Sequence, residues 1–263
     1  MKKKTKLASR RATALTLILG AMPSEVVAIS AALLEASDRK LEGYPYRRGK
    51  LGKRRVVVAV TGVGISNAAM AAALFVQHFR PSELVYTGSG ARLNPAIRTG
   101  DIIISSRTSH HNAGNWTEDG IVYRKVRGPL KGQMTPYEYK ADPDLLRIAR
   151  AAARTFPPKT IVANGESYEA TVKVGKICSG DVFGITKQKI ADIRKKLGCD
   201  LIEMEGSAAA QVCWQLGVPH LVIRSGSNLA QSNPGEDYRR LGQIAAHQAA
   251  SFTMHFVQHL AAR

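Results

Sequence analysis

Apolar residues in this chain come in two rhythms, and the change from one to the other sets the first expectations. Short continuous runs, Ala14–Leu19 and Val56-Val57-Val58-Ala59-Val60, read as strands buried on both faces, because they lack the polar alternate positions of a half-exposed strand. Elsewhere apolar residues recur at three- and four-residue spacing. Ser24–Ala36 carries Val26, Val27, Ile29, Ala32 and Leu33 as a helical stripe, with Pro23 placed for its first turn. Tyr44–Leu51 and Arg55–Thr61 read as a hairpin, and Ile65–Phe79 as an alanine-rich helix. Glu83–Thr87 and Asp101–Ser106 are expected as short strands on either side of a glycine-rich loop. From His110 to Lys140 polarity and glycines predict long loops, the place for a lid or a subunit contact.

The second half alternates more regularly. Pro143–Thr155, Thr186–Leu197, Glu205–Leu216 and Gly235–Ala262 are predicted helices. Thr160–Ala163, Val172–Ile177, Asp200–Met204 and His220–Ser225 are predicted strands. Alternation without internal repeat or linker predicts one α/β domain over residues 13–263, behind a basic tail over residues 1–12. The expected architecture is a single-domain, three-layer α/β/α fold around a mixed, largely parallel central sheet.

Composition narrows the function classes. A chain of 263 residues can fill one large core. No apolar run approaches the roughly 20 residues that span a bilayer, so no membrane partner is expected. Cys178, Cys199 and Cys213 have no metal-type spacing and read as buried free thiols in a reducing compartment. The net charge of +18 is the anomaly. Its basic residues are scattered from Lys2-Lys3-Lys4 to Arg194-Lys195-Lys196, without the interleaved aromatics that stack bases. They read as solvated surface, with no nucleic-acid partner. Residues Lys2 to Leu19 also mimic the charged and apolar parts of a signal peptide, with Val26-Val27-Ala28 as a weak cleavage site. Cleavage there would remove the first strand. The strand reading, and with it a cytoplasmic location, is taken here, with export as the alternative.

Two segments carry polar groups that a packed core would not choose: Ile202-Glu203-Met204-Glu205-Gly206 and Ile223-Arg224-Ser225-Gly226-Ser227-Asn228. Ligands of open α/β sheets bind at strand C-termini. One helix length between the segments predicts neighbouring parallel strands that present a carboxylate and an amide to one crevice. Glu25, Thr61-Gly62-Val63-Gly64, Thr87-Gly88-Ser89-Gly90-Ala91 and Ser179-Gly180-Asp181-Val182-Phe183 complete a ring of such ends. Taken singly, each has a plainer reading. Glu25 and Glu205 suit any helix first turn, Phe183 and Met204 suit a core, and Asp181 suits a turn. Arg224 suits a loop support or carboxylate partner. His255 and His259, one helical turn apart, suit a helix face better than a metal site.

Taken in order, Gly-Ala-Met-x-x-Glu-Val, Thr-Gly-Val-Gly, Thr-Gly-Ser, Gly-Asp-Ile-Ile-Ile-Ser, Ser-Gly-Asp-x-Phe, Glu-Met-Glu-Gly and Val-Ile-Arg-x-x-Ser-Asn resemble the nucleoside phosphorylase/nucleosidase family. Within it, the chain looks like the 5′-methylthioadenosine/S-adenosylhomocysteine nucleosidases. The likeness is collinear from about Leu17 to the C-terminus. It implies cleavage of a purine–ribose N-glycosidic bond through a ribooxocarbenium-like transition state. Glu25 would be the base that deprotonates water, and Asn228 would stand where the branch places its donor to purine N7. Glu205 would grip the ribose hydroxyls, with Met204 beneath the sugar. Phe183 would stack on the base and the Gly184 backbone would read its edge. Ser89 and Gly90 would line the purine loop, and Met22 and Val63 the 5′ end. No cofactor and no metal are implied. The partner is a small purine nucleoside, and a homodimer or higher homo-oligomer is expected, with Tyr137 and Tyr139 as contact candidates.

The likeness has departures. The branch carries Asp where this chain has Asn228, and an amide cannot deliver a proton. Asn there is reminiscent of members that handle 6-oxopurines. Gln231 replaces a usual acid, and Arg92 a usual glycine. Phosphorylases place Arg where Tyr86 stands, which favours water as nucleophile, although Arg92 offers a substitute charge for phosphate. The alternatives are a purine nucleoside phosphorylase acting on 6-oxopurines, or a catalytically weak nucleoside-binding protein.

Overall fold

The protein is described from a computed structural model covering residues 14–182, 186–230 and 234–261. The basic tail lies outside the described residues.

In chain order the first half contains β1 (Leu15–Gly20), α1 (Pro23–Ala31), β2 (Leu34–Leu41), β3 (Tyr44–Leu51), β4 (Arg54–Val60), α2 (Ile65–Phe79), β5 (Glu83–Arg92) and β6 (Ile102–His110). Five short strands follow: β7 (Asn115–Thr117), β8 (Gly120–Val122), β9 (Val126–Arg127), β10 (Met134–Thr135) and β11 (Glu138–Lys140). The second half contains α3 (Pro143–Thr155), β12 (Thr160–Ala163), β13 (Glu166–Glu169), β14 (Val172–Ser179) and α4 (Lys187–Leu197). It ends with β15 (Leu201–Glu203), α5 (Gly206–Leu216), β16 (His220–Leu229) and α6 (Pro234–Ala261).

The apolar runs lie where their pattern requires. β1 is central and parallel to both β4 and β5, and β16 is parallel to β5. Alternate residues of these strands feed two cores. Ile18, Val56, Val58 and Val85 face Leu145 and Ile148 of α3 and Phe252 and Phe256 of α6. Leu17, Leu19, Val57 and Ala59 face Ala68, Ala72 and Phe75 of α2 and Ala208 and Ala209 of α5. Two helical layers thus enclose the sheet. Buried apolar area, at about 25 cal/mol per Å², drives both contacts.

Antiparallel pairing appears at the margins. β2 and β3 extend the sheet beyond β4. At the other side five strands close on themselves: β5–β16, β16–β6, β6–β14, β14–β15 and β15–β5. The expected neighbouring parallel relation of β15 and β16 is corrected here. They pair with opposite sides of β5, β15 antiparallel and β16 parallel, so the ring rather than adjacency brings their ends together.

Other differences have local causes. The first helix ends at Ala31, not Ala36, because β2 follows and pairs antiparallel with β3. β2 is exposed along most of its length and bulged near Glu35 (φ 51°), so its residues show no buried period. The glycine-rich segment after Thr87 is not a loop, since β5 continues to Arg92. The 110–140 region holds short strands rather than loops alone.

The thiol expectation is also corrected. Cys178 and Cys199 form a disulfide with Cα atoms 6.0 Å apart, and among the described residues only Cys213 is free and buried. A spacing of 21 residues gives no sequence signal for that pairing.

Candidate active site

Arg224 organises the site. It lies on β16 with 1% of its surface exposed. A guanidinium cannot shed its charge, so burial demands carboxylates. Three supply them. Nη1 lies 3.4 Å from Glu25 Oε1, and Nη2 donates to Glu205 Oε2 at 3.0 Å and to Glu203 Oε2. Burial alone would lower the Arg224 pKa, but the three carboxylates more than reverse this and raise it. The Tyr86 ring centroid lies 4.9 Å from the guanidinium carbon, and its hydroxyl pairs with Thr61 Oγ at 2.6 Å. Burial raises the Tyr86 pKa well above its ordinary value and keeps that hydroxyl neutral.

Glu25 stands in the first turn of α1, behind Pro23, where the helix dipole favours an acid. Its Oε2 accepts from the backbone N–H of Ala21 at 2.8 Å and Met22 at 3.2 Å. Its Oε1 accepts from Ser89 N at 2.8 Å and Ser89 Oγ at 3.1 Å. The carboxylate is fixed at once from the turn after β1 and from within β5. Gly88 makes that approach possible. With φ at +152°, a Cβ there would lie 2.3 Å from both Glu25 Oε1 and Arg224 Nη1.

Glu205 is the N-cap residue of α5. Its Oε1 accepts from Gly64 N at 3.0 Å, at the N-terminus of α2. Burial pushes its pKa up to about 8; Arg224 opposes that shift, while Glu203 and Glu25 add to it. Glu203 is the member of the cluster that sequence reasoning did not single out. It accepts from Glu205 N at 3.0 Å, Gly206 N at 2.8 Å and Ser179 Oγ, and so caps α5 while holding Arg224. The available signal was an acid at the end of an apolar run, two residues before a helix cap.

Asn228 is 2% exposed and joins the cluster through β5. Ser227 Oγ lies 3.0 Å from Gly90 O and 3.1 Å from Asn228 Oδ1, and Gly90 follows Ser89, which holds Glu25. Asn228 Nδ2 donates to Leu229 O at 3.0 Å. Met22 and Met204 are half-buried on the turns that carry Glu25 and Glu205, and Val63 is 46% exposed beside Gly64. Phe183, Gly184 and Gln231 lie outside the described residues. Asp181, read as a turn residue, instead accepts from Ile65 N at 2.7 Å, across the sequence at the N-terminus of α2.

Two candidates point elsewhere. Arg92 Nη1 donates to Ile97 O at 3.2 Å, and burial lowers its pKa. It is engaged by the following turn rather than offered to an anion. Tyr139 is 2% exposed and packs edge-on against His110 and Trp214, so it belongs to this chain's interior and not to a subunit contact. His255 and His259 both approach Thr155 Oγ, at 3.1 and 3.2 Å, tying α6 to the end of α3.

The Phosphorylase superfamily pattern matches residues 16–258. A 5′-methylthioadenosine/S-adenosylhomocysteine nucleosidase of Geobacillus kaustophilus is 30% identical over 239 residues, 90% of this chain and 94% of its own. One of Mycobacterium tuberculosis is 30% identical over 236 residues, 88% and 92% of the two chains. The structure of the Neisseria meningitidis enzyme in complex with methylthio-immucillin-A has a TM-score of 0.80 at 29% identity, covering 93% of this chain and 98% of that one. Fold, strand-end cluster and sequence agree, and the chain belongs to the phosphorylase superfamily.

Proposed function

We propose that this protein hydrolyses the N-glycosidic bond of a purine nucleoside of the methylthioadenosine/S-adenosylhomocysteine type, releasing the free base and a ribose derivative. The charge count of the cluster carries the choice of water over phosphate: Glu25, Glu203 and Glu205 surround a single guanidinium. Such a site repels a phosphate dianion and suits a neutral nucleophile and a cationic transition state. Glu25, held by four donors, takes the proton from water. Glu205 receives the ribose hydroxyls, and Arg224 fixes both carboxylates.

The base side differs. Asn228 donates a hydrogen bond to the purine through Nδ2 and transfers no proton. That favours a second reading for the base: an amide serves a 6-oxopurine as well as adenine. Exposed Val63, Met70, Leu130, Met134 and Tyr137 near the site and on the 110–140 excursion fit a second copy of the chain, and a homodimer is proposed.

The deciding experiment assays 5′-methylthio and unmodified nucleosides of adenine, hypoxanthine and guanine, with and without phosphate. Base release independent of phosphate is expected. Release only with phosphate would overturn hydrolysis. Asn228→Asp is expected to raise adenine release by about 10²-fold.

A further inference from the structure

A cleft of about 420 Å³ opens at the N-terminal ends of β4 and β5, between the β3–β4 turn, the start of α3 and the end of α6. Glu25 follows the opposite, C-terminal end of β1, so this cleft is separate from the acidic cluster. Its lining has two characters. Leu145 and Ile148 of α3 and Leu260 of α6 form an apolar part. Lys53, Arg54 and Arg147 are set against Glu83 and Asp144 in the charged part.

The charged part is incompletely satisfied. The Arg54 side chain is 12% exposed. Its Nε donates to Thr16 Oγ at 3.0 Å and its Nη2 to both oxygens of Glu83, at 2.6 and 2.8 Å. Its Nη1 makes no hydrogen bond among the described residues. A guanidinium carries five N–H donors, and a nearly buried one with unused donors favours a further acceptor. Lys53, exposed on the turn, makes no ion pair among the described residues. Arg147 is held by Asp144, with Nη2 2.7 Å from Oδ1. Three lining cations against two lining carboxylates leave one positive charge over.

That remainder selects the ligand. A neutral molecule leaves Nη1 without its acceptor, and a dianion overshoots the charge. A monocarboxylate matches both the charge and the planar fork of a guanidinium. The apolar part then calls for a hydrocarbon body, and the volume falls within the range of small-molecule sites, roughly 300–1,000 Å³. We propose that this cleft binds a carboxylate with an apolar chain, its head on Arg54 Nη1 and Lys53 and its chain against Leu145, Ile148 and Leu260. The site stands apart from the nucleosidase reading and does not depend on it.

The test titrates the full chain with octanoate by calorimetry at low ionic strength. Binding with a Kd on the order of 0.1 mM is expected. Octanamide, with the same chain and no charge, should bind at least about ten-fold more weakly, and inorganic phosphate should give no binding. Octanoate at about 100 times its Kd should raise Tm by roughly 5 °C. Lys53→Met should weaken octanoate about ten-fold, and Ala261→Phe, which fills the cleft from the end of α6, should abolish it. Lys53 is exposed and Ala261 only half-buried, so both variants should keep a Tm within about 2 °C of wild type. Absence of octanoate binding would overturn the proposal, as would octanamide or phosphate bound as tightly as octanoate. Wild-type affinity in both folded variants would place the ligand elsewhere and overturn it as well.

Discussion

The parallel strands carry a buried arginine cluster at each end, and the two are built to opposite rules. At the N-terminal end, Arg54 Nη2 lies 2.6 and 2.8 Å from the two oxygens of Glu83, and Thr16 Oγ accepts from Arg54 Nε at 3.0 Å. One cation meets one anion, and a neutral hydroxyl completes the geometry. At the C-terminal end, Arg224 faces three carboxylates. A balanced buried pair holds strands in place. An unbalanced one is eased in part by a proton on Glu205, and such imbalance marks functional sites.

Four measurements press on that contrast, in falling order of effect. Arg224→Met leaves the carboxylates without a counter-charge. It should cost about 3–5 kcal/mol, lower Tm by roughly 10 °C and end base release. A Tm within about 2 °C of wild type would show that the cluster is not held by this residue. Glu25→Gln should cut the rate of base release by about 10²–10⁴-fold while lowering Tm only by a few °C, since its amide nitrogen would face donors that the carboxylate oxygen accepts from, at about 1–3 kcal/mol. A large loss of Tm would make Glu25 structural.

Arg54→Met is the mirror case. It should cost about 3 kcal/mol, the low end for a broken buried pair because the guanidinium borders an open cleft with Lys53 and Arg147. Calorimetry should record that loss while KM and kcat stay put, and altered kinetics would erase the distinction between the two ends.

The smallest effect is a pH slope. The Glu205 carboxyl, raised by burial to about 8, binds a proton in the folded chain that the unfolded chain has already released. Stability therefore falls as pH rises from the ordinary carboxylate range towards about 8, and levels off above it. Thermal melts across that range should show the slope, and Glu205→Gln should flatten it. A wild-type Tm that climbs instead would assign the wrong sign.

Much of this was legible in the residues, for identifiable reasons. Ile65–Phe79, Tyr44–Leu51, Pro143–Thr155 and Thr160–Ala163 have strong period or clear boundary residues, and their ends agree with the structure. β2 was hidden because a polar edge strand has no buried alternate positions to count. The ends of β5 and β16 were hidden because Gly88, Gly90 and Gly226 read as loop, although each lets backbone approach something close. Glu25, Glu205 and Asn228 stood out as polar groups closing apolar runs. Glu203 did not, because only the ring closure of β5 and β15 shows that it faces Arg224 rather than solvent. The disulfide was out of reach, since pairing depends on β14 and β15 lying side by side.

Residue 88 bears a hydrogen where every other amino acid bears carbon, and the meeting place of the residue 25 carboxylate and the residue 224 guanidinium fills that vacant volume. The floor beneath that acid and that cation is thus bare main chain. Even the smallest graft at that spot would wedge acid and cation apart, silencing the chemistry from a position that itself carries no functional group.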